Sequence, residues 1–311
     1  MRSLKVLGVA ALLLTGWWRR PSPAPLPARG PARDSLVQLD MSRGDSVAAR
    51  GIVEGALALA RVDIVYLRAG VPTLYGRDAA KTLLTRSRPA PPAGAAYTWQ
   101  PLGAELSADH RSAYTYGVVT VATPATPPVI RADRYIAFWE REPQQPWRIV
   151  AYAEVGGPAV ELQVTPEQTT PPAQSITGHV ADFHNSLKSL DSAFSDLADR
   201  SGVAAAFAAY VADQGAVFAG PELVVGPRQM EEYYRLQAAG TSLIWTPVFA
   251  GGAASEDLGF TVGNYVATGR GPSGAAVQRF GKYLTVWKRQ RGGEWKFVID
   301  GGSATPPRGG G

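Results

Sequence analysis

A chain of 311 residues, 45% apolar and 18% charged, is long enough for two globular domains with a core each. It has no cysteine, which excludes disulfides, thiolate metal sites and a cysteine nucleophile. Its formal charge of +5 belongs to the ends: without residues 1–33 and Arg308, 24 basic residues face 26 acidic ones, so the folded part lacks the basic footprint of a nucleic-acid binder.

At the front, Arg2 and Lys5 precede an apolar run from Val6 to Trp18, followed by Arg19-Arg20 and a Pro/Ala-rich stretch to residue 30. That order reads as an export signal, with an apolar run too short for a confident membrane span. It predicts a periplasmic or extracellular protein, either cleaved within 20–30 or tethered to the membrane by an uncleaved segment. Leu14-Thr15-Gly16 resembles the box before a lipidated cysteine, but Trp17 stands where the thiol is needed.

An amphipathic helical region is predicted at 34–61, broken near Gly51. A short strand at 64–67, a helix at 77–84 and strands at 97–106, 113–123, 130–141 and 146–153 follow. Residues 155–177, rich in Pro, Gly, Thr and Gln, read as a linker. The order then restarts: helices over 178–213 with a break at Gly202, a strand at 216–218, a helix at 227–236, and strands at 243–250, 257–268, 278–290 and 294–300. Gly292-Gly293 marks the last hairpin turn. Residues 303–311 are expected to be disordered.

The second half repeats the first. Leu39-Asp40 falls on Leu190-Asp191 and Gly51 on Gly202 at an offset of 151; Trp99-x-Pro101 falls on Trp245-x-Pro247 at 146. Tyr135, Trp139, Arg141, Trp147 and Val150 fall on Tyr283, Trp287, Arg289, Trp295 and Val298 at 148. A period near 150 is too long for a solenoid unit and marks a duplicated domain, 34–154 and 178–302. Helices first and an antiparallel sheet afterwards is an α+β order, with helices on one face of the sheet.

In the second copy, Leu258-Gly259-Phe260-Thr261-Val262-Gly263, Gly281-Lys282-Tyr283, Trp287-Lys288-Arg289 and Trp295-Lys296-Phe297-Val298-Ile299-Asp300 resemble the SnoaL-like group of the nuclear transport factor 2-like superfamily, within it domain of unknown function 4440. The resemblance implies two tandem cones, each a curved antiparallel sheet wrapped around N-terminal helices, with an apolar pocket at the wide end. Its members include isomerases, cyclases, dehydratases and hydrolases as well as non-catalytic modules, so it fixes a fold and no reaction.

In catalytic members a carboxylate in the apolar pocket acts as base, its pKa raised by burial. Asp300, at the end of an apolar strand, is the candidate here, with Tyr283 as its partner; Tyr152 occupies the matching place in the first copy. Trp245, Tyr265, Trp99, Tyr116 and Tyr152 are candidate ligand-contacting residues, while Tyr114/Tyr116 and Phe260/Val262 are expected to face the helices. Asp40 and Asp191 read as structural groups bonding sheet backbone or an arginine such as Arg50 or Arg200. His110, His179 and His184 have no metal-ligand spacing, and no phosphate loop or serine elbow occurs. No cofactor and no metal are implied. Three readings follow: an exported binder of a small apolar molecule, an acid/base enzyme using the second pocket, or an interaction module pairing through its sheets as an intrachain pseudo-dimer or a homodimer.

Overall fold

The computed structural model describes residues 30–124, 130–172, 178–219, 222–237, 240–271 and 273–305. Residues 1–29, read in the sequence as an export signal and leader, part of the expected linker (173–177) and the end of the expected tail (306–311) lie outside the described residues. Among the described residues, no helix is long and apolar enough to cross a membrane, and no cluster of metal-ligating side chains occurs.

The first copy runs α1 (Pro31–Met41), α2 (Arg43–Ala56), β1 (Ala60–Leu67), β2 (Leu74–Tyr75), α3 (Arg77–Arg86), β3 (Ala96–Leu106), β4 (Ser112–Ala122), β5 (Ile130–Glu140) and β6 (Arg148–Val155). After α4 (Pro166–Thr169), the second runs α5 (His179–Ser201), α6 (Val203–Tyr210), β7 (Val211–Ala219), β8 (Glu222–Val225), α7 (Gly226–Gln237), β9 (Ser242–Gly252), β10 (Leu258–Arg270), β11 (Ala276–Arg289) and β12 (Trp295–Thr305). The two sheets have one topology, β2-β1-β6-β5-β4-β3 and β8-β7-β12-β11-β10-β9. They are mixed rather than wholly antiparallel, because the first long strand of each copy returns beside the last and runs parallel to it.

Helices close one face of each sheet from both edges: α1 and α2 pack on β3 while α3 packs on β1, and α5 packs on β9 while α7 packs on β7. A sheet held against helices at both edges curls around them, which makes the cone. Curvature is built in by irregularities at the same place in each copy, between Pro101 and Gly103 and between Val262 and Gly263. The Trp-x-Pro segments lie there on edge strands, where a proline without an N–H is tolerated. The sharp joint between α5 and α6 rests on Gly202, whose φ of 88° is open to glycine at little cost.

Each cone has its own aromatic core. The second gathers Phe194, Phe207, Trp245, Trp287 and Phe297, with the Phe194 and Trp245 rings in edge contact at 4.5 Å. Trp139 and Trp287 are fully buried, and in each the indole Nε1 donates to a strand threonine, Thr115 or Thr261, at 2.9 Å.

Those threonines settle the orientation of β4 and β10. With Thr115 and Thr261 toward the helices, side chains alternate, and Tyr114, Tyr116, Phe260 and Val262 point to the opposite face. The sequence expectation that they face the helices is therefore incorrect. They belong to a third apolar layer in which the two sheets pack against each other, with Phe138 on Phe260 at 4.7 Å and Tyr116 edge-on to Phe218 at 5.9 Å. Polar contacts frame that layer: Lys288 pairs with Glu105 at 2.6 Å, Asp257 accepts from the Ala108 N–H, and Ala304 accepts from the Gly70 N–H.

Two boundaries differ from the sequence reading. Ser303 to Thr305 continue β12 because they pair with Lys282, Gly281 and Phe280. The start of the linker folds back on the first cone, burying Val160 in its core and pairing Glu161 with Arg88.

Candidate functional site

Each cone encloses a cavity, about 160 Å³ in the first and about 260 Å³ in the second. Four of the seven candidate residues meet in the second: Asp300, Tyr283, Trp245 and Tyr265 all line it. Trp99 and Tyr152 line the first. Tyr116 lines neither. It stacks on Tyr114 in the layer between the sheets, so it is removed from the candidate ligand contacts.

Behind both cavities lies a fully buried carboxylate from the first long helical region, Asp40 or Asp191. In the second cone Asp191 accepts from the Tyr283 hydroxyl at 2.7 Å and from Trp245 Nε1 at 2.8 Å. Burial pushes its carboxyl up to about 6, against these hydrogen bonds and one from Thr261. In the first cone Asp40 accepts from the Tyr135 hydroxyl at 2.5 Å and from Arg43 at 3.4 Å. Neither aspartate uses Arg50 or Arg200; the charged partner in the first copy is Arg43, one helical turn away.

Asp300 is half-buried at the cavity wall, its Oδ1 accepting from the Thr285 hydroxyl at 2.7 Å. Burial pushes its carboxyl up to about 7, partly offset by that hydrogen bond, and the Asp191 charge raises it further. Tyr283, the partner named from the sequence, donates to Asp191 and not to Asp300. The Asp300 charge adds to the burial that raises the phenols of Tyr265 and Tyr234, and contributes least among the causes at Tyr283; Tyr234 is the one sequence reasoning missed. Tyr234 lies on α7, whose distance along the chain from β12 gives no hint of the meeting.

The first cavity differs at two matched positions. Where the second has Phe194 and Asp300, the first has Arg43 and Tyr152. The Arg43 guanidinium carbon lies 4.5 Å from the ring centres of both Trp99 and Tyr152. Trp99 Nε1 accordingly donates to the Tyr152 hydroxyl at 3.2 Å instead of to the buried aspartate. Burial pushes the Tyr152 phenol up to about 12 against the Arg43 charge. The signal for Arg43 was present at the offset of 151, as a basic residue aligned with a phenylalanine on a core helix face.

The architecture is a tandem of two α+β cones with one sheet topology, the form that the sequence resemblance implies. No family model matches the chain, so the finer resemblance to domain of unknown function 4440 gains no support. No curated protein matches it either. Similar solved structures include a ketosteroid isomerase-like protein from Erwinia carotovora atroseptica, 16% identical over 39% of this chain and 96% of that one, TM-score 0.35. A nuclear transport factor 2-like superfamily protein from Salmonella enterica is 13% identical over 42% and 95%, TM-score 0.33. A hexachlorocyclohexane dehydrochlorinase from Novosphingobium barchaimii is 16% identical over 39% and 86%, TM-score 0.32.

Proposed function

We propose that the second cone binds a small, mostly apolar carbonyl compound and that Asp300 exchanges a proton with it. The observation that carries this reading is a carboxyl pushed to about 7 at the wall of a cavity of about 260 Å³ lined by aromatic side chains. A group with a pKa near the operating pH is present both as base and as acid, the condition for efficient proton transfer. The ionised Asp300 takes a proton from the carbon beside the carbonyl. The C–H pair becomes the enolate double bond and the carbonyl π pair moves to oxygen. Tyr265 or Tyr234, kept neutral by burial, donates to that oxygen, and protonated Asp300 returns the proton to the same carbon or, in a conjugated dienolate, to the γ-carbon. Thr285 holds the carboxylate in place.

Binding without turnover is the second reading. It is favoured by the commitment of the Tyr283 hydroxyl to Asp191, which removes one donor from the cavity. Export belongs to the same proposal and rests on the basic and apolar order of residues 2–20.

Native mass spectrometry of the purified full chain should show a co-purified small molecule. Deuterium uptake by a β,γ-unsaturated cyclic ketone in D2O then separates the two readings. The enzyme accelerates exchange with a rate rising through pH 7, and Asp300→Asn lowers it by about a hundredfold or more. A bound molecule with no accelerated exchange, or an Asp300→Asn protein as fast as the parent, leaves binding alone.

A further inference from the structure

Four arginines (Arg43, Arg68, Arg131, Arg134) and two carboxylates (Asp133, Glu154) line the first cavity, an excess of positive charge, whereas Asp300 is the charged residue lining the second. Arg43 is only 3% exposed, and its Nε has no hydrogen-bond partner among the described residues. Its ion pair with Asp40 is long, at 3.4 Å, and Asp40 also accepts the shorter hydrogen bond from Tyr135. Burial pushes the Asp40 carboxyl up in spite of Arg43, which weakens it as a counter-ion. Arg68 lines the same cavity, is also buried, and its Nε likewise makes no hydrogen bond, lying 3.4 Å from Glu154. Buried guanidinium donors are almost always satisfied. Arg33 and Arg77 also carry an unbonded buried nitrogen but line neither cavity, and Arg68 keeps its ion pair with Glu154; the Arg43 Nε at the wall of the first cavity is the donor left for an acceptor brought by a ligand.

We propose that the first cone is a binding site for a small carboxylate with an apolar, preferably aromatic, body, its carboxylate held by Arg43. The guanidinium presents several N–H donors in a plane suited to a carboxylate, and it is pre-set by its contacts with Trp99 and Tyr152. Ile52, Leu84, Val119 and Val121 supply the apolar wall. A cavity of about 160 Å³ suits a single ring, since an engineered apolar cavity of about 150 Å³ holds benzene. The second cone rejects the same ligand, because Phe194 replaces the guanidinium and Asp300 adds negative charge. The duplication has thus produced two cavities of opposite charge preference in one chain, and this assignment stands whether or not Asp300 turns over a substrate.

Benzoate, benzamide and benzylamine, titrated calorimetrically into the full chain, test it, with the arginine Nε–Hε resonances followed by NMR. Benzoate should bind at one site, at least about tenfold more tightly than benzamide, since a hydrogen bond to a charged group contributes on that scale. It should also shift the Arg43 resonance. The paired variant Arg43→Met with Asp40→Asn, which leaves no buried charge unpaired, should lose benzoate binding; Arg43→Lys should weaken it about tenfold by losing the planar fork. Asp300→Asn should bind benzoate as the parent does. The proposal is overturned if benzoate does not bind or binds no better than benzamide. It also fails if benzoate affinity follows Asp300 rather than Arg43. Should the paired variant fail to fold, Arg43→Lys and the ligand comparison on the parent protein still decide.

Discussion

Asp300 and Asp191 show what a few neighbouring atoms do to a carboxyl. Both sit above the ordinary aspartate value, at about 7 and about 6, because burial removes water faster than Thr285, Tyr283 and Trp245 replace it. The sign of the linkage follows. From about pH 4 to 7 the native state holds a proton at Asp300 that the unfolded chain has released, so raising the pH through this window lowers stability. Asp300→Asn should therefore stabilise the protein at pH 8 relative to the parent, by about 1 kcal/mol or more, with the difference vanishing near pH 4. Thermal unfolding across that range measures it, and a pH-independent difference would mean that Asp300 is solvated. The candidacy of Asp300 was legible because a carboxylate ended an apolar strand. Its real partners were not, since the hydroxyls around it come from α7, β10 and β11.

At the scale of elements, β10 and β11 carry the site through glycines as much as tyrosines. Gly263 lies opposite Tyr283 and Gly281 opposite Tyr265. A Cβ at 263 would stand 2.3 Å from the Tyr283 hydroxyl and 2.3 Å from the Thr246 carbonyl oxygen, and one at 281 would stand 2.1 Å from the Tyr265 ring. The tyrosines thus lie across bare backbone, which brings their hydroxyls to the cavity. Gly263→Ala should push Tyr283 off Asp191 and destabilise the second cone by about 1–3 kcal/mol, read as a lower urea midpoint with unchanged slope. An unchanged midpoint would show that the ring has other room. Helix and strand order was legible from periodicity and turn residues, within a few positions at each boundary. The short strands β2 and β8 were not, because Leu74–Tyr75 and Glu222–Val225 are too brief to carry a period.

For the whole molecule, the decisive feature is the apolar layer between the sheets. Phe138, Ile136, Phe260, Val262, Leu284 and Val286 are all buried there. Lys282, fully buried on β11, is pushed down to about 7 by the same exclusion of water. A second cone made alone, residues 178–305, would expose this face over an area that soluble monomers seldom leave open. It should self-associate through the sheet, as sedimentation velocity would report, whereas the full chain does not need that contact. A compact monomer of the isolated cone would mean that the layer contributes little to either domain.

Sequence by itself determined the duplication and the α+β order, because a repeated pattern of tryptophans, glycines and tyrosines is a linear fact and apolar periodicity is local. It also placed Asp300 and Tyr152 at matched positions. Only the tertiary structure decided which face of β4 and β10 meets the helices, since two threonine hydroxyls beneath tryptophan indoles choose between faces that are both apolar in sequence. It alone joined Arg43 to Trp99 and Tyr152, and Asp300 to Tyr234 and Tyr265, because a cavity is made by curvature that brings distant strands and helices around one space.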